Sequence, residues 1–510
     1  MLLAELVAAA EALSATLSRT AKTEVLASVL RALTPDEAEA AVGILLGRPR
    51  QGRIGIGWRT LSSVRGAGAA APATEPALTV ADVDEALARI LAEGGPGSVG
   101  ARHSALVELL ARATGPEQDL LTRALTGEVR TGALDGLVTD ALARAVSRPA
   151  EEVRRAVMLR GSLPRTVRAA LADPATLAEA GLAVGTPVQP MLASTAVSVA
   201  AALEVTGPAS VEYKLDGARI QVHRRGDDVG VFTRSLADIT ARVPEIVEVA
   251  RALPAREVIL DGETLSHDES GAPRPFQETM SRFGAEATRE SVLAPWFFDV
   301  LHLDGRDLID EPLSTRLAVL DGLAPGHRVP GHVTADPDVA RQVMDDALAA
   351  GHEGVVVKAV GSPYAAGRRG RSWLKVKPVH TYDLVVLGAE WGSGRRRGWL
   401  SNLHLGAADP DGVAGEPGGF VMVGKTFKGL TDELLRWQTQ TFPAFEVGRA
   451  PGTVLLRPEI VVEIAIDGVQ RSSRYPGGVA LRFARVKRYR PDKGPAEADR
   501  IETLRAMLRG

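Results

Sequence analysis

The segment Val211-Glu212-Tyr213-Lys214-Leu215-Asp216-Gly217-Ala218-Arg219 sets a lysine between carboxylates and an arginine at the end of a strand-like run. Asp216-Gly217 is a hairpin-type turn pair, so the pattern predicts a strand that reverses and leaves again through Ile220–His223. Lys214 is then held by backbone at a strand end, where its amine could act as a nucleophile if its pKa were depressed toward neutrality. A lone lysine of this kind is more often a surface residue paired with a neighbour such as Asp216, so its companions decide the matter. Other charged residues stand at predicted strand ends: Arg234 after Val231–Thr233, Asp261 and Glu263 after Val258–Leu260, and Glu353 before Val355–Val357. Gly262 and Gly354 beside these carboxylates suggest room for a bulky ligand. One by one these residues resemble solvated hairpin ends; together, two carboxylates and several cations suggest a pocket for Mg²⁺ and a nucleotide.

Further along, Arg368-Arg369-Gly370-Arg371-Ser372-Trp373-Leu374-Lys375-Val376-Lys377 puts Lys375 and Lys377 on one face of a strand. Two adjacent cations call for an anion between or opposite them. A phosphate meets that need, and the arrangement would help depress the pKa of a nearby lysine. Between Arg471 and Lys493, the bases Arg471, Arg474, Arg482, Arg485, Lys487, Arg488, Arg490 and Lys493 face only Asp492, which reads as a local polyanion-binding patch. Two other patterns carry little. Gly419–Thr426 fits the spacing of a phosphate-binding loop but lacks the strand before it, and Phe420–Val423 reads as a strand itself. His352-Glu353 has no second histidine at zinc-binding spacing.

The elements that must position these groups follow from the rest of the chain. Its 510 residues predict several domains, and 45% hydrophobic with 24% charged residues is the balance of an ordinary globular protein. The absence of cysteine excludes disulfides, cysteine-ligated zinc, iron–sulfur clusters and a thiol nucleophile. Sixty basic against sixty-three acidic side chains give a net charge of −3, so a polyanion must meet a local patch rather than the whole protein. The first residues are apolar, but Glu5 and Glu11 interrupt them; Leu2, Leu3, Leu6, Val7, Ala10 and Leu13 follow helical spacing, which predicts an amphipathic helix rather than a signal segment. No run is long enough to span a bilayer, and a cytoplasmic location is the expectation. Residues 1–182 read as all-helical, with helix starts at Thr34-Pro35-Asp36-Glu37 and Thr79-Val80-Ala81-Asp82 and a Gly/Ala/Pro-rich loop at Gly66–Ala77. Residues 183–378 alternate short strands with helices such as Ile239–Leu253 and Asp336–Ala350, an α/β domain. Residues 379–510 read as a small β-barrel with one helix at Thr431–Gln440.

KLDGAR at 214–219, with Glu212 before it, resembles the first motif of the covalent nucleotidyltransferases, the superfamily of DNA ligases, RNA ligases and mRNA-capping enzymes. In that family's order come Thr233-Arg234-Ser235, LDGE at 260–263, FFDV at 297–300, EGVVVK at 353–358, WLKVKP at 373–378 and RFARVKRYRPDK at 482–493. Upstream, Gly52–Gly57, Arg130–Leu134 and Pro187–Ala193 resemble the helical DNA-binding domain and its junction in ATP-dependent DNA ligases of the three-domain archaeal and bacterial type. The resemblance implies an all-α DNA-binding domain, an ATP-grasp-like nucleotidyltransferase domain and an OB-fold. It implies ATP and Mg²⁺ as cofactors and nicked double-stranded DNA as partner. A monomer is expected, and a clamp-type partner stays open. An RNA ligase or another lysyl-nucleotide transferase is the alternative. Residue by residue, Lys214 would take AMP from ATP, Glu212 would read adenine and Phe298 would stack on it. Arg219 and Glu263 would hold the ribose, while Arg234, Arg369, Lys375 and Lys377 would hold phosphate. Glu353 with Glu263 would organise Mg²⁺, and Arg482, Arg485, Asp492 and Lys493 would orient pyrophosphate when the barrel closes about a hinge near Lys377–Tyr382.

Overall fold

The computed structural model describes the chain apart from Arg53, 66–70, Pro96, Arg130, Ala133, 267–292, Arg368, 394–395, 427–428 and 509–510. Arg53, Arg130, Ala133, Arg368 and the first residues of the Gly66–Ala77 insert, all singled out above, therefore lie outside the described residues.

Between Leu3 and Leu177 the described residues form helices packed around one hydrophobic cluster that runs from Leu3 to Leu177. The expected start signals operate: Thr34 with Glu37, and Thr79 with Asp82, form reciprocal capping boxes. Leu3, Leu6, Val7, Ala10 and Leu13 bury one face of the first helix while Leu2 stays at the surface. No helix among the described residues is long and apolar enough to cross a membrane.

The middle of the chain forms two five-stranded sheets. The first joins β1 (Leu192–Thr195), β2 (Ala209–Tyr213), β8 (Gly331–Thr334), β9 (Val355–Ala359) and β10 (Arg369–Val376) in the order β1-β10-β9-β2-β8, with only β1 and β10 parallel. The second joins β3 (Ala218–Arg225), β4 (Asp228–Thr233), β5 (Glu257–Ser266), β6 (Leu293–Leu303) and β7 (Arg306–Asp307) as β4-β3-β5-β6-β7, antiparallel throughout. Helices Val199–Thr206 and Pro337–Ala349 cover the first sheet; Pro244–Ala252 and Leu313–Leu323 cover the second.

Asp216-Gly217 is therefore not a hairpin. β2 pairs with β8 and β9, β3 pairs with β4 and β5, and the chain crosses from one sheet to the other through Lys214–Gly217. Long-range strand pairing overrides the local turn preference. Gly217 is needed for packing: a Cβ there would collide with the Thr264 carbonyl oxygen and stand 2.7 Å from Leu265 Cδ2. Gly262 and Gly354 likewise serve close backbone approach rather than ligand space, because a Cβ on Gly262 would lie 2.6 Å from the Trp296 oxygen and one on Gly354 3.2 Å from Lys377 Cα.

After Lys377, Pro378 and Val379 the C-terminal sheet begins with β11 (His380–Trp391). Its first half pairs with β16 (Val461–Ile466) and its second half with β15 (Thr453–Leu456), while β12 (Leu400–Asp409) runs along its other edge. Register shifts in β11 let one strand turn between two neighbours. With β13 (Gly419–Lys425), β14 (Glu446–Ala450) and β17 (Arg485–Tyr489) these strands curl into a half-barrel around Leu384, Leu403, Val423 and Ile464. Gly419–Lys425 is a paired strand, so the phosphate-loop spacing there has no loop behind it.

Candidate active site

The chain crossover and the facing ends of the two sheets enclose a cavity of about 830 Å³ whose wall includes Lys214, Arg219, Glu263, Phe298, Glu353 and Lys375. Lys214 is fixed by backbone as expected: its N–H donates to the Gly354 oxygen at 2.8 Å, and its carbonyl accepts from the Glu353 N–H at 3.0 Å. Its ammonium pairs with Glu353, and Lys377 Nζ lies 2.7 Å from the same carboxylate. The anion opposite Lys377 is thus a protein carboxylate.

These charges redistribute proton affinity differently from the expectation. Burial alone would push the Lys214 amine down, but Glu353 and Glu263 outweigh it and hold the amine above the ordinary lysine range. The depressed lysines are Lys375, lowered by burial and by the cations Lys377, Lys214 and Arg369, and Lys358, lowered by burial although Glu212 opposes it. Glu353, pushed up by burial, is pulled further down by Lys214 and Lys377. Glu263 goes the other way: burial pushes its carboxyl up to about 7 despite Lys214, Arg219 and the Gly217 N–H, which donates to it at 3.2 Å. The cavity therefore holds a cation cluster only partly neutralised by Glu353, beside a carboxyl that ionises near neutrality.

At another part of the wall, Glu212 is buried with Oε1 accepting from Ser210 Oγ and Arg328, both at 2.8 Å, and Oε2 lying 2.5 Å from Lys358 Nζ. These partners keep Glu212 ionised although burial opposes it. Lys358 also sits 4.3 Å from the ring centres of Phe298 and Trp373. Arg219 forms a two-pronged pair with Asp261 at 3.0 and 2.6 Å, donates to the Met191 oxygen at 2.6 Å, and lies 5.3 Å from the Phe298 ring. Tyr364 donates to Asp261 at 2.6 Å, which braces the arginine.

Of the sequence-predicted residues, Lys214, Glu212, Arg219, Glu263, Phe298, Glu353, Lys375 and Lys377 converge on the cavity, and the exposed Arg234 and Arg369 also line it. From the half-barrel Arg482 reaches this region, donating to Asp216 at 3.0 Å. Arg485 pairs with Asp467 at 2.6 Å, Lys493 with Asp383 at 2.6 Å, and Asp492 with Arg490 at 2.7 Å. Arg488 pairs with Glu463, so much of the apparent basic patch is met by carboxylates from β11, β16 and the turn after it. Lys358, Arg328 and Tyr364 were missed as site residues. Lys358 had a signal, a lysine closing the apolar run Val355–Val357; Arg328 and Tyr364 stand outside any pattern and reach the site only through tertiary packing.

Family models match in chain order: DNA ligase N terminus at 60–143, ATP dependent DNA ligase domain at 190–377 and ATP dependent DNA ligase C terminal region at 396–493. The chain belongs to the ATP-dependent DNA ligase family. Relatives curated as "Probable DNA ligase" are 63% identical in Pseudarthrobacter chlorophenolicus and 58% identical in Rhodococcus jostii, each match covering 100% of both chains. A solved structure, "Pmar-Lig_Pre.", shares the fold at a TM-score of 0.64 and 18% identity over 95% of this chain and 99% of its own. The enzyme is an ATP-dependent DNA ligase, and the RNA-ligase alternative is not favoured.

Proposed function

We propose that Lys214 is the residue that carries AMP, and that the ligase seals 3′-hydroxyl/5′-phosphate nicks through a lysyl–AMP and an adenylated DNA end. The observation that carries this is Lys214, whose backbone is held by two hydrogen bonds on the wall of a nucleotide-sized cavity and whose amine is faced by Glu353, Lys375 and Lys377. In step one the Lys214 nitrogen bonds to the α-phosphorus of ATP as the bond to pyrophosphate breaks. AMP then passes to the 5′-phosphate, and the 3′-hydroxyl displaces it. Glu212, held ionised by Lys358 and Arg328, offers an acceptor for the adenine amino group, and Phe298 offers a stacking face. Arg219 and Glu263 border the ribose. Lys375, Arg369 and Arg234 hold phosphate oxygens, while Lys377 acts through Glu353. Arg482, through Asp216, is the half-barrel residue positioned to reach pyrophosphate; Arg485, Asp492 and Lys493 would join it only after the barrel turns about Lys377–Tyr382.

Glu263 and Glu353 are hard oxygen donors beside phosphate-binding cations, and among the described residues no larger acid or histidine cluster forms. That donor set fits Mg²⁺ shared with substrate phosphates rather than caged by protein. Bound there, Mg²⁺ supplies charge neutralisation at the α-phosphate. We also propose domains at 1–182, 183–378 and 379–510, the first binding DNA and the last an OB-fold. Incubation with α-labelled ATP and Mg²⁺ tests the central assignment: the label becomes acid-stable on the protein, and Lys214→Ala abolishes it. Equal labelling of the variant would show that another residue is the nucleophile.

A further inference from the structure

β3 carries two rows of side chains. Ala218, Ile220 and Val222 enter the core of the second sheet, and Arg219, Gln221, His223 and Arg225 share the opposite face. That polar row is not solvated, for Gln221 and His223 are buried. Each of its members instead holds main chain of 184–191, the segment without regular structure that joins the helical region to β1. Arg225 donates to the Val184 oxygen at 3.2 Å, and the Gly185 N–H donates to His223 Nδ1 at 3.0 Å. Gln221 accepts the Val188 N–H at 2.8 Å and donates to the Val188 oxygen at 3.3 Å. Arg219 Nη1 donates to the Met191 oxygen at 2.6 Å. Burial pushes the His223 imidazole down to about 3, with His302 adding to the effect, so the ring is neutral. Because Nδ1 accepts from Gly185, Nε2 carries the proton and donates to Gln221 Oε1 at 2.9 Å. The Gln221 amide is thereby fixed in one orientation.

The row ends in the nucleotide cavity. The two-pronged pair with Asp261 lets the Arg219 guanidinium pivot about the carboxylate, and the Met191 oxygen is a further contact that opposes the pivot. Nη1 carries a second hydrogen, and the Met191 contact sets its direction. Tyr364 accepts the Met191 N–H at 3.0 Å and anchors one end of the segment before β1; Gln221 anchors the other at Val188. Pro187 and Pro190 stiffen the chain on either side of Val188, so the place of Val188 dictates that of Met191.

We propose that Gln221 and His223 are positioning residues for self-adenylation: they hold the 184–191 segment in the register that presents the Met191 oxygen to Arg219, and so aim that arginine at the ribose. The inference rests on Lys214 taking AMP and on Arg219 bordering the ribose, and adds what aims the arginine.

The full-length enzyme is compared with Gln221→Met, Arg219→Lys and the double variant. Labelling by α-labelled ATP gives KM and kcat, and calorimetry in a Lys214→Ala background gives the dissociation constant of ATP without turnover. Gln221→Met is expected to raise KM and the dissociation constant about 10-fold while kcat changes less than about 3-fold, the pattern of lost ground-state binding. Arg219→Lys keeps the charge but not the planar fork. In its presence Gln221→Met should cost less than about 2-fold, because the path through which it acts is already gone. His223→Asn, whose amide oxygen can take the Gly185 N–H while Gln221 Oε1 loses its imidazole donor, is the milder second variant and should weaken ATP binding about 3-fold, again only with Arg219 intact. An equal factor with and without Arg219, whether or not melting temperature falls, would overturn the proposal and leave the row as polar packing that holds the fold. Parental ATP affinity in Gln221→Met would overturn it as well. Labelling of the parent and its loss in Lys214→Ala report on the nucleophile alone, so the two readings fail separately.

Discussion

Replacing Glu263 by glutamine isolates the proton balance of the cavity. The unfolded carboxyl titrates near its ordinary 4.5 and the folded one at about 7. Between those values the folded protein keeps a proton that the unfolded chain has released, so stability falls as pH rises through the window. Below it both forms are protonated and no penalty exists; above it the penalty is complete. A gap of about 2.5 pH units corresponds to ~3 kcal/mol. Glutamine imitates the protonated carboxyl and can still accept the Gly217 N–H, but it never ionises. The variant should therefore match the parent near pH 4.5 and exceed it increasingly up to pH 7.5. For a region the size of the nucleotidyltransferase domain the final difference is roughly 6–12 °C in melting temperature. Differential scanning calorimetry of the nucleotide-free, metal-free proteins from pH 4.5 to 7.5 reads it without depending on activity, which the substitution is expected to impair. A temperature difference that stays flat across this range would mean that Glu263 ionises at its ordinary value and that its burial does not govern the site.

Arg482→Ala removes the 3.0 Å contact to Asp216; self-adenylation should slow roughly 10- to 100-fold, the equivalent of ~1.5–3 kcal/mol for a charge-assisted hydrogen bond, while sealing of a pre-adenylated nick is largely retained. Equal slowing of both reactions would count against a role confined to the first step. Gly217→Ala pushes a methyl against Thr264, Leu265 and Glu263 and should cost about 1–3 kcal/mol, visible as a lower denaturation midpoint and weaker ATP binding. Arg316→Ala leaves the fully buried Asp299 without its partners at 2.7 and 3.0 Å; a loss of about 3–5 kcal/mol is expected by chemical denaturation, and a loss under 1 kcal/mol would show that water reaches Asp299.

What the sequence disclosed here was chemistry tied to local pattern. Lys214, Glu353 and Lys375 stand at or next to strand ends, which can be read from alternation and turn residues; Asp261 and Glu263 do not, because β5 continues past Leu260 to Ser266 and holds both within the sheet. The capping pairs Thr34–Glu37 and Thr79–Asp82 are local for the same reason. Asp216-Gly217 misled because β3 pairs on one side with β4 and gives its other edge, which a hairpin would have given to β2, to Glu257–Ser266 tens of residues away, and no local preference reports that pairing. The basic run at 471–493 misled in the same way: Asp383, Glu463 and Asp467, which neutralise it, come from strands that only the folded sheet brings alongside. Arg328 and Tyr364 were illegible because each acts at a distance in sequence, on Glu212 and Asp261 respectively.

The resting charge pattern also explains why the nucleophile need not be deprotonated in advance. Lys214 is held protonated by Glu353, so the free enzyme presents an ammonium rather than a reactive amine. Lys377 shares that carboxylate, and Lys375, crowded by like charge, is the group most relieved by an arriving phosphate. A cation arriving with the substrate phosphates and drawing on Glu353 would weaken that carboxylate's hold on the Lys214 proton, whereas a phosphate on Lys375 by itself favours the ammonium. Activation would then be coupled to occupancy: the amine is released for attack when its electrophile is in place. A carboxylate fixed between two lysines can do this, whereas a lysine kept permanently neutral in an open cavity would be exposed to adventitious electrophiles between turnovers.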